Sequence, residues 1–141
     1  MLLTPKIFIL EDEETFILRF KIILQKIGIS TQEFRPFKQG QHLIDFMQKE
    51  YPDIVFIDLT LKENERDGFE ILTHVKQKYN GKLKAGIISS SEDIEDIKRA
   101  ADAGARFYIV KTGNINVFSD RLTQFKKDFL EKDTKKFVIY K

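Results

Sequence analysis

The chain has 141 residues, with 24 Lys and Arg against 22 Asp and Glu for a formal net charge of +2, 13 phenylalanines, and neither cysteine nor tryptophan. That length suits one domain able to bury its own core. The lack of cysteine excludes disulfides, thiolate nucleophiles and cysteine-built zinc or iron-sulfur sites, and so small a net charge gives no argument for direct nucleic-acid binding.

No apolar run approaches the roughly 18 residues needed to span a bilayer. The start, MLLTPKIFILEDEE, lacks the basic leader, long apolar region and small-residue cleavage site of a signal peptide. The expectation is a soluble cytoplasmic protein that has no membrane partner.

KIFIL (Lys6 to Leu10), apolar and followed at once by polar residues, reads as a buried parallel strand. From Glu14 to Ile27, the spacing of Ile17, Phe20, Ile23, Leu24 and Ile27 predicts a helix, and Gly28 suits the position just past its end. TQEFRPF is a weaker second strand, which Pro36 places at or near an edge. Gln41 to Glu50 carries Leu43, Ile44 and Met47 on one helical face, and the helix ends before Pro52. DIVFID (Asp53 to Asp58) is the clearest strand. DGFEILTHVKQKY then sets Phe69, Leu72, Val75 and Tyr79 at helical spacing, with Asp67 and Glu70 in a capping-box pattern.

KAGIIS forms the fourth strand and SEDIEDIKRAADAGA the fourth helix, with Ser90 or Ser91 as its cap, Ser90 with Asp93 fitting the capping pattern, and Gly104 the stop. ARFYIV is a fifth strand, and Val117, Leu122, Phe125 and Phe129 mark a fifth helix. Five strand-helix pairs imply an α/β fold, a doubly wound five-stranded parallel sheet with right-handed crossovers. The expected domain covers residues 1–132. Residues 133–141, which include KKFVIYK, form a C-terminal extension with strand character but no place among the five pairs; pairing with a sheet edge, docking on a partner and a disordered tail are all open to it.

Ligands of such sheets bind beyond the carboxyl ends of the strands. Glu11 and Asp12 follow the first strand, Asp58 the third, Ser89 the fourth and Lys111 the fifth. Buried carboxylates brought together need a cation, and an all-oxygen donor set suits a hard ion such as Mg²⁺. A carboxylate nucleophile, a metal, a lysine and a hydroxyl together describe a phosphoryl site, with Asp58 as the acceptor. His42 and His74 stand alone on predicted helices, away from this cluster.

These residues resemble the receiver domains of two-component response regulators over about Lys6 to Leu130. ILEDE is similar to the acidic pair after the first strand, FIDLTL to the phosphoacceptor strand, IISSS to the hydroxyl-bearing end of the fourth strand, and GARFYIVKT to the Gly-Ala, aromatic and lysine signature. The resemblance implies the flavodoxin-like (βα)5 fold. It further implies that Asp58 accepts phosphate from a histidine kinase or phosphotransfer protein, and that Asp12 binds Mg²⁺ directly, Glu11 mainly through water and Thr60 through its carbonyl. Ser89 and Tyr108 would be the switch residues, altering the face made by the fourth helix, fifth strand and fifth helix, where a downstream protein or a second copy of the chain would bind.

The chain departs from the family in three places. LTLKENERDGFE lacks the usual proline and is about two residues longer before Asp-Gly; Thr112 follows Lys111 where proline is normal; and Glu11 replaces the more frequent aspartate. A non-proline cis bond costs roughly 3 kcal/mol, so a trans peptide after Lys111 is expected. The competing reading is a pseudo-receiver that binds a partner without phosphorylation. A phosphatase acting on external substrates would need an acid two residues after the nucleophile, where Thr60 stands, so no external-substrate enzyme is expected.

Overall fold

The computed structural model describes residues 3–59, 68–79 and 82–141. Strands β1 (Ile7–Leu10), β2 (Phe34–Phe37), β3 (Ile54–Ile57), β4 (Lys84–Ser89), β5 (Phe107–Val110) and β6 (Val138–Tyr140) form one parallel sheet in the order β2-β1-β3-β4-β5-β6. Helices α1 (Glu14–Lys26), α2 (Gly40–Met47), α3 (Gly68–Tyr79), α4 (Ile94–Asp102) and α5 (Ile115–Phe125) connect them, and α5 runs on into a π-helical turn, Lys126–Glu131. No helix among the described residues is long and apolar enough to cross a membrane.

Period-two alternation along the buried strands divides their side chains between two cores. Phe8, Leu10, Val55, Ile57, Ala85, Ile87, Tyr108 and Val110 meet α2, α3 and α4. Ile7, Ile9, Phe56, Ile88, Phe107 and Ile109 meet α1, α5 and the π-helical turn. The second core is largely aromatic, with the ring of Phe56 against Phe20, Phe107 and Phe125 at 5.1 to 5.3 Å. Gly86 leaves room for this arrangement, since a Cβ there would lie 2.4 Å from the Phe107 ring.

The expected five strands are all present, and Pro36 lies on an edge strand. The sheet has a sixth strand because KKFVIYK folds back and pairs with β5, with Phe107, Tyr108 and Ile109 in register with Val138, Ile139 and Tyr140. The turn that returns the chain is tied to the sheet by basic side chains. Lys84 Nζ donates to the Phe129 carbonyl, and Arg106 Nη2 donates to the Thr134 carbonyl (2.5 Å) and Asp133 Oδ1 (3.2 Å). Tyr140, 5% exposed, donates its hydroxyl to Asp128 Oδ2 at 2.7 Å.

Two expectations are shifted by one residue. On α1 Phe16 is buried while Ile17 is half-buried, and on α5 Phe118 is buried while Val117 is 38% exposed. Adjacent helical positions differ by only about 100°, so the wide apolar stripe of a helix constrains its phase weakly. Ahead of α4 it is Ser91, not Ser90, whose Oγ accepts an amide, from Asp93 at 3.2 Å, while the same hydroxyl donates to Asp96 Oδ2 at 2.6 Å. The expected cap at Asp67 lies outside the described residues.

Candidate functional site

The carboxyl ends of β1, β3, β4 and β5 bring the sequence-predicted residues to one edge of the sheet. Their backbones are fixed by the ladder and its continuations. Asp58 N–H donates to the Leu10 carbonyl (3.0 Å), Glu11 N–H to Phe37 (2.9 Å) and Lys111 N–H to Ser89 (2.8 Å). Glu11, Asp12 and Asp58 each offer a carboxylate oxygen, and these atoms lie within 4.8 Å of one another. Glu11 is 1% and Asp58 7% exposed, and Asp12 is half-buried.

Three carboxylates so close, two of them buried, repel one another and lose hydration, so each needs compensation. Part of it comes from Lys111, whose Nζ lies 2.5 Å from Glu11 Oε2 and 3.7 Å from Asp58 Oδ2. Glu11 Oε1 accepts the Glu13 amide at 3.0 Å, so both oxygens of Glu11 are engaged. The donor set, all carboxylate oxygen, fits a hard divalent cation and not a nitrogen- or sulfur-preferring metal.

Ser89 is 4% exposed and its Oγ accepts the Ser91 amide at 3.1 Å. Tyr108 is fully buried and points inward, donating its hydroxyl to the Ser91 carbonyl at 2.9 Å. Burial raises the Tyr108 pKa above the ordinary tyrosine value, keeping the phenol a neutral donor. Thr60 and the longer segment before Gly68 lie outside the described residues. Gly68 packs so tightly past the end of β3 that a Cβ would lie 2.4 Å from the Asp58 carbonyl oxygen. His42 on α2 is exposed, His74 on α3 is half-buried, and neither belongs to the carboxylate cluster.

Two residues at this edge were not anticipated. The ring of Phe16 lies under Lys111 Nζ, 4.1 Å from its centroid, and Arg121 Nη1 donates to the Val110 carbonyl at 2.7 Å, next to Lys111. The i, i+4 pair Phe16 and Phe20, beginning four residues after Asp12, carried a signal for the first. Nothing local pointed to Arg121. No described peptide bond is cis, so Lys111 and Thr112 are joined in trans as expected. Thr112 Oγ1 accepts the Asn114 amide, and Asn114 Oδ1 caps α5 through the amides of Asn116 and Val117.

The sequence matches the response regulator receiver domain over residues 7–123. The chain belongs to that family. Receiver domains serve phosphorylation-based two-component signalling. Among solved structures, this receiver is similar to a response regulator in red light signaling of R. palustris, with 22% identity, 89% of this chain and 92% of the other covered, and a TM-score of 0.76. It is also similar to the phosphorylated cyanobacterial phytochrome response regulator RcpA (25% identity, 90% and 94% covered, TM-score 0.74) and to a response regulator from Thermotoga maritima (20%, 91% and 100%, 0.70). A comparison with curated protein sequences gave no match.

Proposed function

We propose that this receiver is a phosphorylation-operated switch in which Asp58 accepts a phosphoryl group from the phosphohistidine of a sensor kinase or phosphotransfer protein. The N–P bond of the donor breaks and an O–P bond to an Asp58 carboxylate oxygen forms. The observation that carries the reading is Asp58, buried at the end of β3, with two other carboxylates within 4.8 Å and the Lys111 ammonium 3.7 Å away.

Mg²⁺ would be held by Asp12, Asp58 and the Thr60 carbonyl, with Glu11 acting mainly through water. Its contribution would be to neutralise the carboxylates and the phosphoryl oxygens. Glu11 already commits both oxygens to Lys111 and the Glu13 amide, which supports an outer role for it. Lys111 balances charge on the phosphoryl oxygens, and the Ser89 hydroxyl, whose oxygen accepts the Ser91 amide, donates its own O–H to a phosphoryl oxygen. The Tyr108 hydroxyl already rests on the Ser91 carbonyl, so a movement of the Ser89–Ser91 backbone reaches Tyr108 and the surface of α4, β5 and α5 directly. A downstream protein or a second copy of the chain reads that surface in the cytoplasm. No external-substrate chemistry is proposed.

The test is phosphate incorporation from acetyl phosphate, followed by intact mass for wild type and Asp58→Asn with and without Mg²⁺, alongside a direct measurement of Mg²⁺ binding. The expected result is one phosphoryl group gained, only with Mg²⁺ and only in wild type. The second reading, a phosphorylation-independent adaptor, rests on the lengthened sequence between Asp58 and Gly68 and on Thr112 in place of proline after Lys111. Absence of both Mg²⁺ binding and phosphoryl gain in the folded protein would favour the adaptor instead.

A further inference from the structure

Among the described residues, the Lys111 ammonium has two carboxylate contacts, Glu11 Oε2 at 2.5 Å and Asp58 Oδ2 at 3.7 Å, and one aromatic contact, the face of Phe16 at 4.1 Å. The first two are carboxylates that take part in the proposed chemistry, Glu11 through water toward a cation and Asp58 as the phosphoryl acceptor. Of these contacts, only the aromatic one involves no group whose charge that chemistry changes.

We infer that Phe16 is a positioning residue whose ring face holds the Lys111 ammonium at the cluster while its carboxylate partners are engaged. This rests on the phosphoacceptor reading of Asp58. Lysine is a compact charge on a flexible four-carbon stem, without the planar fork that fixes an arginine, so its head must be located by what surrounds it. The backbone end is already fixed. Lys111 N–H donates to the Ser89 carbonyl and Arg121 holds the carbonyl of Val110. Phe16 fixes the other end.

The ring is itself well held. Phe16 lies in the first turn of α1, is 7% exposed, stacks on Phe20 at 5.7 Å with 18° between the ring planes, and packs against Phe118 at 5.8 Å. The Lys111 side chain is 13% exposed, so water competes little with the negative face of the ring. An ammonium lying on that face keeps N–H donors directed away from it, toward the carboxylate edge. An aliphatic residue in place of Phe16 fills much of the same volume but offers no quadrupole.

The experiment replaces Phe16 by Leu and, separately, by mono-, di- and trifluorophenylalanine at position 16 alone. The fluorinated rings keep size and stacking area while progressively weakening attraction for a cation. Three readouts are taken: acetyl phosphate phosphorylation resolved into donor half-saturation and maximal rate, the urea midpoint, and the ring-current displacement of the Lys111 ε-methylene signals by NMR. Phe16→Leu is expected to lower the maximal rate roughly three- to tenfold and to abolish the ring-current displacement. The fluorinated series should fall in graded order with the urea midpoint and Mg²⁺ affinity unchanged. The same series at Phe107, packed among Phe56, Phe125 and Phe129, should leave the rate unaltered.

A rate insensitive to fluorination, or one that falls only in step with stability, overturns the positioning role. If wild type binds Mg²⁺ but gains no phosphoryl group from acetyl phosphate, it is the phosphoacceptor reading that fails by this route, and the Lys111 signals still decide the contact. Their displacement in wild type and its loss in Phe16→Leu support it; undisplaced signals in wild type overturn it.

Discussion

Tyr140→Phe isolates one hydroxyl that holds the sixth strand. The ring remains in the aromatic core beside Phe125, at 6.1 Å, and only the bond to Asp128 Oδ2 at 2.7 Å is removed. A hydrogen bond to a charged acceptor contributes about 1.5–3 kcal/mol, and because Asp128 is half-exposed the lower end applies, so a loss of about 1–2 kcal/mol is expected at neutral pH. In a domain of this size that lowers the melting midpoint by roughly 3–8 °C. Burial first, and then the bond to Asp128, push the Tyr140 pKa far above the ordinary value of 10.0.

The sign of the pH dependence comes from that shift. Below pH 10 the phenol is protonated in both folded and unfolded chains, and its contribution to stability is fully present. Above pH 10 the unfolded chain ionises first and binds fewer protons, so wild type loses about 1.4 kcal/mol per pH unit through this group until the folded pKa is reached. The variant lacks that titration. Tyr51, Tyr79 and Tyr108 are also raised by burial, but they are common to both proteins and cancel in the difference. Urea unfolding at pH 8 and pH 11 should therefore show the variant less stable at pH 8 and the gap closed or reversed at pH 11. Equal midpoints at pH 8, or an undiminished gap at pH 11, would refute the reasoning.

Lys111→Ala leaves the 1% exposed Glu11 without its cation and should cost about 3 kcal/mol in urea unfolding, part of it recovered on adding Mg²⁺. Phosphoryl uptake from acetyl phosphate should fall sharply in the same variant while Mg²⁺ binding persists. Gly68→Ala drives a Cβ to 2.4 Å from the Asp58 carbonyl and 2.8 Å from Leu59 Cα, both backbone atoms, so phosphoryl uptake should slow along with a loss of about 1–3 kcal/mol. Gly86→Ala sets a Cβ 2.4 Å from the Phe107 ring in the core, and should show a comparable loss of stability in thermal unfolding without a change in Mg²⁺ affinity.

Legibility in the sequence tracks the range of the interactions that decide each feature. DIVFID and KIFIL are buried on both faces, so their apolar runs announce parallel strands, and the polar residues at their carboxyl ends mark the edge they share. The strand pattern alone therefore brings Glu11, Asp12, Asp58 and Lys111 to one place, and the distances among them agree. The sixth strand was not legible as such. Val138–Tyr140 is only three residues long, and its position depends on Lys84, Arg106 and Asp128, none of which marks KKFVIYK locally. Ser91 is likewise selected over Ser90 by the tertiary contact of its carbonyl with Tyr108 and of its hydroxyl with Asp96. The exchange of Ile17 for Phe16 concealed the ring beneath Lys111 for a simpler reason: the apolar spacing places the helical stripe one position out of phase.

The sixth strand also changes the setting of the proposed switch. With five strands, β5 would be an edge, and one row of its backbone groups would face solvent or a helix. With β6 beside it, β5 is an interior strand, bonded to β4 on one side and β6 on the other. Ile139 lies in register with Tyr108 and on the same face of the sheet, but is 41% exposed where Tyr108 is fully buried. The solvent-facing member of that pair thus belongs to the C-terminal strand. β6 is the weaker neighbour of β5, three residues long with Tyr140 as its buried residue, so in the proposed switch a displacement of Tyr108 would be taken up more readily on that side. β4, at six residues and buried almost throughout, is the stiffer one. If the proposed phosphorylation displaces Tyr108, this asymmetry would direct the movement outward, toward β6.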